Sequence, residues 1–318
     1  MKNILVTSCS AKVLLIQSLV KCSEKYNIRV IATDITEDKP ALYFAHGFSL
    51  LPPMSDPHYV PKLLDLCKRE NIGYIIPTRD DDLVWFAKNK EKLNSASVEV
   101  CQSSGETINI CNDKIIFHEF CLEHGLPVPK NYDNNDLIKY PCVFKLRESS
   151  ASKGVKVIHS ESELLAEVEN ANELGCDFMV QEYLSDKEYT IDAFYNKEGK
   201  LIIAIPRERV KVVNGESIIS KTVDVPELSL LARNLGEYFE FFGHVTIQAF
   251  YSSLGDINLI EINPRFGGAS NLGFAAGVKS PDRLLAILAG DIHESESVKE
   301  LKYGLKMLRY STDLIIQD

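Results

Sequence analysis

Along the first hundred residues, apolar positions alternate between short continuous runs and helical spacing. Ile4-Leu5-Val6 reads as a strand, a helical stretch follows near 11–26, and Ile28-Arg29-Val30-Ile31-Ala32 forms a second strand ending at Asp34. Val60, Leu63, Leu64 and Cys67 recur at i, i+3, i+4 and i+7, which predicts an amphipathic helix running into Gly73-Tyr74-Ile75-Ile76-Pro77. Strands alternating with helices predict a small parallel α/β unit. Its first turn, Thr7-Ser8-Cys9-Ser10-Ala11-Lys12, lacks the glycines that bring a dinucleotide pyrophosphate against the backbone, which argues against NAD binding. Asp34 and Thr78-Arg79-Asp80-Asp81 stand at strand exits, where open α/β sheets hold ligands and where solvated turns and helix caps also occur.

The pattern changes beyond residue 100. After a loop at Ser103-Ser104-Gly105, Asn112 or Asp113 caps a helix through Ile116 and Phe120 that stops at Gly125, before Pro127 and Pro129, and a domain junction is expected at about 112. Cys142–Leu146 and Gly154–Ile158 read as a hairpin with a long, small-residue loop, 147–153. Ser160-Glu161-Ser162-Glu163 is a capping box that opens a helix, Phe178–Glu182 is the next strand, and 187–222 reads as antiparallel hairpins with a tight turn at Asn214-Gly215.

Composition narrows the classes. The 318 residues suit two domains or one large one, and 45% apolar with 25% charged residues is a globular balance. A net charge of −10 (35 basic, 45 acidic) removes the broad basic surface that nucleic-acid binding needs. Apolar runs such as Leu201–Ile205 fall far short of the roughly 20 residues of a membrane span. With no secretory pattern at Met1–Val6, a cytoplasmic protein is expected. The eight cysteines form no C-x-x-C pair and read as buried free thiols.

Chemistry concentrates near the C-terminal end. In Leu259-Ile260-Glu261-Ile262-Asn263-Pro264-Arg265, strand alternation puts Glu261 and Asn263 on one face and Ile260 and Ile262 on the other. The run Val245–Phe250 would pair with it and bring Gln248 within one step of Glu261. Gln248, Glu261 and Asn263 together supply the hard oxygen donors that suit Mg²⁺, with Arg265 placed to meet an anion beside it. A strand with a polar face to water gives the same pattern. The loop 147–153 has backbone amides suited to phosphate, with Lys153 adding charge, although a serine-rich hairpin loop also fits. Lys145 inside an apolar strand needs an anionic partner. Lys114 at a helix start and Gln181-Glu182-Tyr183-Leu184 at a strand exit are weaker candidates. Arg207 and Arg209 share a strand face and would clamp a carboxylate or a phosphate, or simply meet solvent.

Taken in order, Asn112-Asp113-Lys114, Val143-Phe144-Lys145, Ser150-Ala151-Ser152-Lys153-Gly154-Val155, Gln181-Glu182-Tyr183-Leu184 with Glu188, and Gln248 with Glu261-Ile262-Asn263-Pro264-Arg265 resemble the ATP-grasp superfamily. The branch most similar includes the large subunit of carbamoyl phosphate synthetase and the stand-alone carboxylate–amine ligases. The resemblance implies an α/β plus α+β fold: a small parallel α/β (pre-ATP-grasp) domain over 1–112, then a two-subdomain ATP-grasp fold over 113–318, with a nucleotide lid at roughly 141–182. It implies that Lys114 and Lys145 contact phosphates and the purine, and that the loop carrying Ser150, Ser152, Lys153 and Gly154 closes over the γ-phosphate. Gln181 and Glu182 to Leu184 would frame the adenine, Glu188 would hold the ribose, and Gln248, Glu261 and Asn263 would bind Mg²⁺ or Mn²⁺. Arg265 would stabilise the transferring phosphoryl group. Gln248 departs from the family, where many members carry a carboxylate, so a more weakly held metal is expected.

The function expected is an ADP-forming ligase that activates a small-molecule carboxylate as an acyl phosphate and joins it to an amine, with no nucleic acid or membrane partner and with a homodimer as its assembly. An ATP-grasp kinase and a non-catalytic ATP-binding module are the alternatives.

Overall fold

The computed structural model describes residues 2–10, 12–133, 136–147, 154–297 and 300–317. The first sheet contains β1 (Asn3–Val6), β2 (Val30–Asp34), β3 (Gly47–Leu50), β4 (Ile72–Ile76) and β5 (Glu99–Val100), all parallel, in the order β3-β2-β1-β4-β5. Every residue of β2 is buried, as expected for a strand with helices on both faces. The chain leaves β1 toward β2 and β3, then returns to β4 on the other side of β1. The exits of β1 and β4 therefore flank a topological switch point. The structure adds a helix where a loop is expected: Ser104 accepts from the Thr107 N–H and caps Gly105–Asn112, before Asp113 caps Lys114–Glu123.

β6 (Cys142–Leu146), β7 (Val155–Ile158) and β8 (Phe178–Glu182) form an antiparallel sheet in the order β7-β6-β8. Cys142, Phe144, Ile158 and Val180 face helix Glu161–Glu173 through Leu164 and Ala171. By period-two alternation, Val143, Lys145, Val155, Val157, Met179 and Gln181 face the opposite way, into a cavity.

The third sheet is antiparallel and six-stranded, ordered β13-β12-β9-β10-β11-β14: β9 (Lys187–Tyr195), β10 (Leu201–Val213), β11 (Glu216–Thr222), β12 (Gly243–Tyr251), β13 (Ile257–Asn263) and β14 (Lys306–Leu308). Asn214 and Gly215 have φ of 49° and 75°, the left-handed pair that a two-residue hairpin turn between β10 and β11 requires. One face buries Tyr189, Ile191, Val245, Ile247 and Leu259 against helices Lys114–Glu123 and Pro226–Leu235. The other face carries the polar residues.

One core crosses between the first and third sheets. Ile4, Val6, Ile16 and Leu19 pack with Phe194, Ile205, Phe266 and Leu285 of helix Ser280–Ala289. Among the eight cysteines, Cys9, Cys67, Cys121 and Cys142 are buried free thiols, whereas Cys176 is exposed and Cys22, Cys101 and Cys111 are half-buried. Cys176 lies in the turn after helix Glu161–Glu173, outside any core. No helix among the described residues is long and apolar enough to cross a membrane.

Because Leu285 is fully buried in this shared core, Leu285→Ala should lower the free energy of unfolding by about 2–5 kcal/mol. Urea denaturation followed by circular dichroism measures the change, and a loss below about 1 kcal/mol would contradict the packing described.

Candidate functional site

The polar face of the six-stranded sheet is assembled by register. Thr190 on β9 stands opposite Arg207 on β10 and Gln248 on β12, and Gln248 stands opposite Glu261 on β13. A bulge breaks the alternation here, since Gln248 pairs with Glu261 while Ala249 pairs with Leu259. Ile260 is the extra residue. It lines the cavity beside Glu261, and Leu259 and Ile262 take the core positions, so the expectation that Ile260 and Ile262 share the opposite face is corrected.

Glu261 is the centre of this patch. Its Oε1 accepts from Gln248 Nε2 and, at 2.9 Å, from Asn263 Nδ2. Gln248 Oε1 accepts from Arg209 Nη1 at 2.6 Å, and Asn263 Oδ1 accepts from Arg265 Nη2 at 3.0 Å. Arg209 is also held by Glu188 Oε1 at 3.0 Å and by the Gly215 carbonyl at 2.8 Å. Two arginines are thereby steered toward one carboxylate through amide side chains. The donor set suits a hard cation that takes most of its ligands from phosphate, because the patch offers one carboxylate and, among the described residues, no cluster of three His, Cys, Asp or Glu could cage a metal. Glu261 and Asn263 fit such an ion. The amide oxygens of Gln248 and Asn263 are engaged by Arg209 and Arg265, so either would have to exchange an arginine for the ion.

A cavity of about 290 Å³ lies between this face and the three-stranded sheet. Val143, Val155, Val157, Met179, Phe250 and Ile260 give it apolar walls, while Lys114, Lys145, Glu188, Arg209 and Glu261 bring charge to it. Such a slot fits a flat apolar ring with a charged tail. Burial pushes Lys145 from 10.5 down to about 8, with Glu261 and Glu188 opposing the fall and Lys114 adding to it. Burial also raises the Glu188 carboxyl against the pull of Arg209. Gln181, Glu182, Tyr183 and Leu184 line the same cavity. The Glu182 carboxylate accepts the Lys130 backbone N–H at 2.8 Å, which fixes the strand exit. Gly154, at φ 70°, begins the described chain after the loop, and Ser150, Ser152 and Lys153 lie outside the described residues.

A second cavity, about 600 Å³, opens where the polar face meets the switch point of the first sheet. Arg265 lies in its wall, bound to Asp80 by Nε–Oδ1 and Nη2–Oδ2 contacts of 2.6 Å each. Arg207 also reaches this wall but is almost wholly buried. Its Nε donates to Asp192 Oδ2 at 2.8 Å and its Nη1 to Ser220 Oγ at 3.3 Å, so the clamp expected of Arg207 and Arg209 is already engaged in ion pairs. Burial would raise the Asp192 carboxyl, yet Arg207 and His244 hold it below the usual range. Gly273 is required beside it, since a Cβ there would lie 2.8 Å from Asp192 Cβ.

Sequence reasoning missed Lys12, Glu216 and Arg309, all in this second cavity. Lys12 occupies the turn after β1, and its Nζ donates to the Phe266 carbonyl at 3.0 Å. Arg309 follows β14, pairs with Glu216 and donates to the Gly268 carbonyl at 2.6 Å. Arg309 belongs to no motif. Lys12 had one signal, its place at the first strand-to-helix turn of an open α/β sheet.

Comparison with known proteins gives two family matches. Residues 4–101 match the PylC-like N-terminal domain, and residues 176–312 match the ATP-grasp family described as acting in the biosynthetic pathway with the Ter operon. The chain is 26% identical over 188 residues to the D-alanine–D-alanine ligase of Petrotoga mobilis, covering 53% of this chain and 63% of that enzyme. It is 24% identical over 256 residues to the arginine-specific carbamoyl phosphate synthase large chain of Bacillus subtilis, covering 75% of this chain and 23% of that one. It thus spans less than two thirds of either relative. Among solved structures, it superimposes with a TM-score of 0.69 and 15% identity on the biotin carboxylase domain dimer of the Hydrogenobacter thermophilus 2-oxoglutarate carboxylase, in complex with MgADP, ADP and bicarbonate. That match covers 96% of this chain and 71% of the other. The pairing of a parallel α/β sheet with two antiparallel sheets is shared.

Lys145 has a consequence for stability. A group whose folded pKa, about 8, lies below its ordinary 10.5 costs stability while protonated in the fold, and the cost fades as pH rises from 8 toward 10.5. Lys145→Met should therefore be more stable than the parent to urea at pH 7, with a smaller difference at pH 9.5. A pH-independent difference would show that Lys145 is not desolvated.

Proposed function

We propose that this chain, which belongs to the ATP-grasp superfamily, is an ATP-dependent, ADP-forming ligase that joins a small carboxylic acid to an amine. One observation carries the reading: a single carboxylate, Glu261, stands between an apolar slot with a lysine at its wall and a second cavity with an arginine at its wall. Adenine would occupy the slot against Met179 and Ile260, framed by Gln181 to Leu184, with the ribose at Glu188. Lys114 and Lys145 would meet the phosphates, and the loop with Ser150, Ser152, Lys153 and Gly154 would cover them, the three-stranded sheet acting as a lid on the unit 113–318. Glu261 and Asn263 would hold Mg²⁺, with Mn²⁺ as a substitute. Bound there, the ion would neutralise phosphate charge.

The acid would enter the second cavity, with its carboxylate oxygen in line with the γ-phosphorus. That oxygen takes the phosphoryl group, ADP leaves, and the amine attacks the acyl carbon and expels phosphate. Arg265, oriented by Asp80, is positioned for the charge that grows during transfer, and Arg207 and Arg209 hold the sheet face rigid behind it. Catalysis by placement and fixed charge needs little movement of these side chains. The dimeric carboxylase domain supports testing the chain as a homodimer.

The test is release of ADP and phosphate from MgATP across a panel of acids, with and without amines. Phosphate release that requires both supports the ligase; phosphorylated product with no free phosphate supports a kinase. Glu261→Ala should remove nearly all turnover with the fold intact, and wild-type activity in that variant would overturn the metal assignment.

Lys145 and Arg265 should fail differently. Lys145→Met should weaken ATP binding by about 1–3 kcal/mol, the loss of a charge-assisted contact. Arg265→Met should lower kcat by about 100-fold or more with a smaller change in ATP affinity. Calorimetric titration beside steady-state kinetics separates them. An Arg265 variant that loses ATP binding yet turns over normally at saturation would refute its role.

A further inference from the structure

One cation of the second cavity, Lys12, has no carboxylate partner among the described residues. Around the cavity stand Lys12, Arg265 and Arg309, with Asp80 and Glu216 as the nearest acids. Asp80 is taken by both nitrogens of Arg265, and Glu216 by Arg309. Among the described residues no carboxylate lies within 4.0 Å of Lys12, whose one hydrogen bond is to a neutral carbonyl, that of Phe266. Of the two further acids that line the cavity, Asp81 pairs with Arg79 and Glu261 accepts from Gln248 and Asn263, so Lys12 is left without a carboxylate partner among the described residues. Burial and the two arginines accordingly press Lys12 down to about 8, against Asp80 and Glu216. An ammonium in that position calls for an anion.

The turn that carries Lys12 is tightly determined. Thr7 Oγ1 and Ser8 Oγ donate to the two oxygens of Asp82, at 2.9 and 3.0 Å, and Thr78 Oγ1 donates to the Thr7 and Ser8 carbonyls, at 3.0 and 2.8 Å. The Ser10 N–H donates to Asp34 Oδ2 at 2.8 Å. These bonds tie the exits of β1, β2 and β4 together and fix Lys12 at the switch point, where an open α/β sheet seats ligands. Phe266, the partner of Lys12, directly follows Arg265, and Gly268, the partner of Arg309, lies two residues further on. The cationic seat follows Glu261 and Asn263 along the chain and shares one cavity with them.

We propose that Lys12 seats a second anionic group, a carboxylate or a phosphate, of the acid whose other carboxylate is activated beside Glu261 and Arg265, so that the acid is at least dianionic. That the occupant is the acid undergoing activation rests on the ligase reading; the anion seat itself does not. It makes the turn after β1 the element that selects the substrate, and Lys12 its specificity-determining residue.

The experiment measures thermal protection by acetate, malonate and inorganic phosphate at matched ionic strength, with and without a saturating non-hydrolysable ATP analogue that keeps anions out of the nucleotide cavity. Wild-type protein should be protected by malonate or phosphate at concentrations at least tenfold below those acetate requires. Malonate as the stronger ligand identifies a carboxylate seat, and phosphate a phosphate seat. Lys12→Met should lose that preference and Lys12→Arg should keep most of it, with affinity for the ATP analogue as the check on folding. Equal protection of wild type and Lys12→Met, or no preference for dianions in the wild type, would overturn the proposal. Intact, Lys12-dependent protection in a protein that releases no phosphate with any acid and amine would instead sink the ligase reading and leave the seat standing.

Discussion

Glu261 is the carboxylate shared by cations that otherwise repel one another, each of which also meets a second acid, Glu188 or Asp80. Lys145 comes from the three-stranded sheet, Arg209 from β10 and Arg265 from beyond β13; burial works against the charge of all three, and Glu261 opposes it at each, behind Glu188 at Arg209 and Asp80 at Arg265. Two neutral amides, Gln248 and Asn263, set the geometry by donating to Glu261 and accepting from the arginines. In a partly desolvated site, charges of this kind interact far more strongly than in water. A polyanion bridged by a divalent ion would satisfy the same cations.

That convergence depends on two features of backbone geometry. The bulge at Ile260 turns Glu261 onto the face shared with Gln248, and at the same point gives the adjoining slot an apolar wall. The bidentate pair of Arg265 with Asp80 then joins the end of β13 to the exit of β4, 185 residues apart in sequence. The shared core of Ile16, Phe266 and Leu285 keeps these two ends in register. A rigid joint between the first sheet and the third would allow an acid bound at one to meet a phosphoryl group bound at the other, as proposed.

Much of this was legible in the sequence because strand alternation is local. The period-two spacing of Glu261 and Asn263, the hairpin that sets Gln248 opposite Glu261, the caps at Asp113 and Ser160, and the turn at Asn214-Gly215 each follow from residues within a short window. The bulge was not legible, since nothing in Leu259-Ile260-Glu261 distinguishes a regular strand from one with an extra residue. Nor were the partners of the arginines. Asp192 for Arg207, Asp80 for Arg265 and Glu216 for Arg309 are chosen by tertiary packing, and surface clamps, buried pairs and solvated charges look alike in a linear sequence. Lys12 falls in the same class: its isolation from carboxylates exists only once the first sheet and the polar face are joined.

The central claim is that an acid accepts the γ-phosphoryl group beside Glu261 before any amine takes part. Positional isotope exchange reads that step directly. ATP with ¹⁸O in the β–γ bridge is incubated with enzyme, Mg²⁺ and the acid, without amine, and the recovered ATP is examined by ³¹P NMR. Reversible acyl phosphate formation lets the β-phosphoryl group of bound ADP rotate, so label should scramble into the non-bridging β positions, only with acid present and not in Glu261→Ala. Turnover with both substrates but no scrambling with acid alone, or scrambling that needs no acid, would contradict the account.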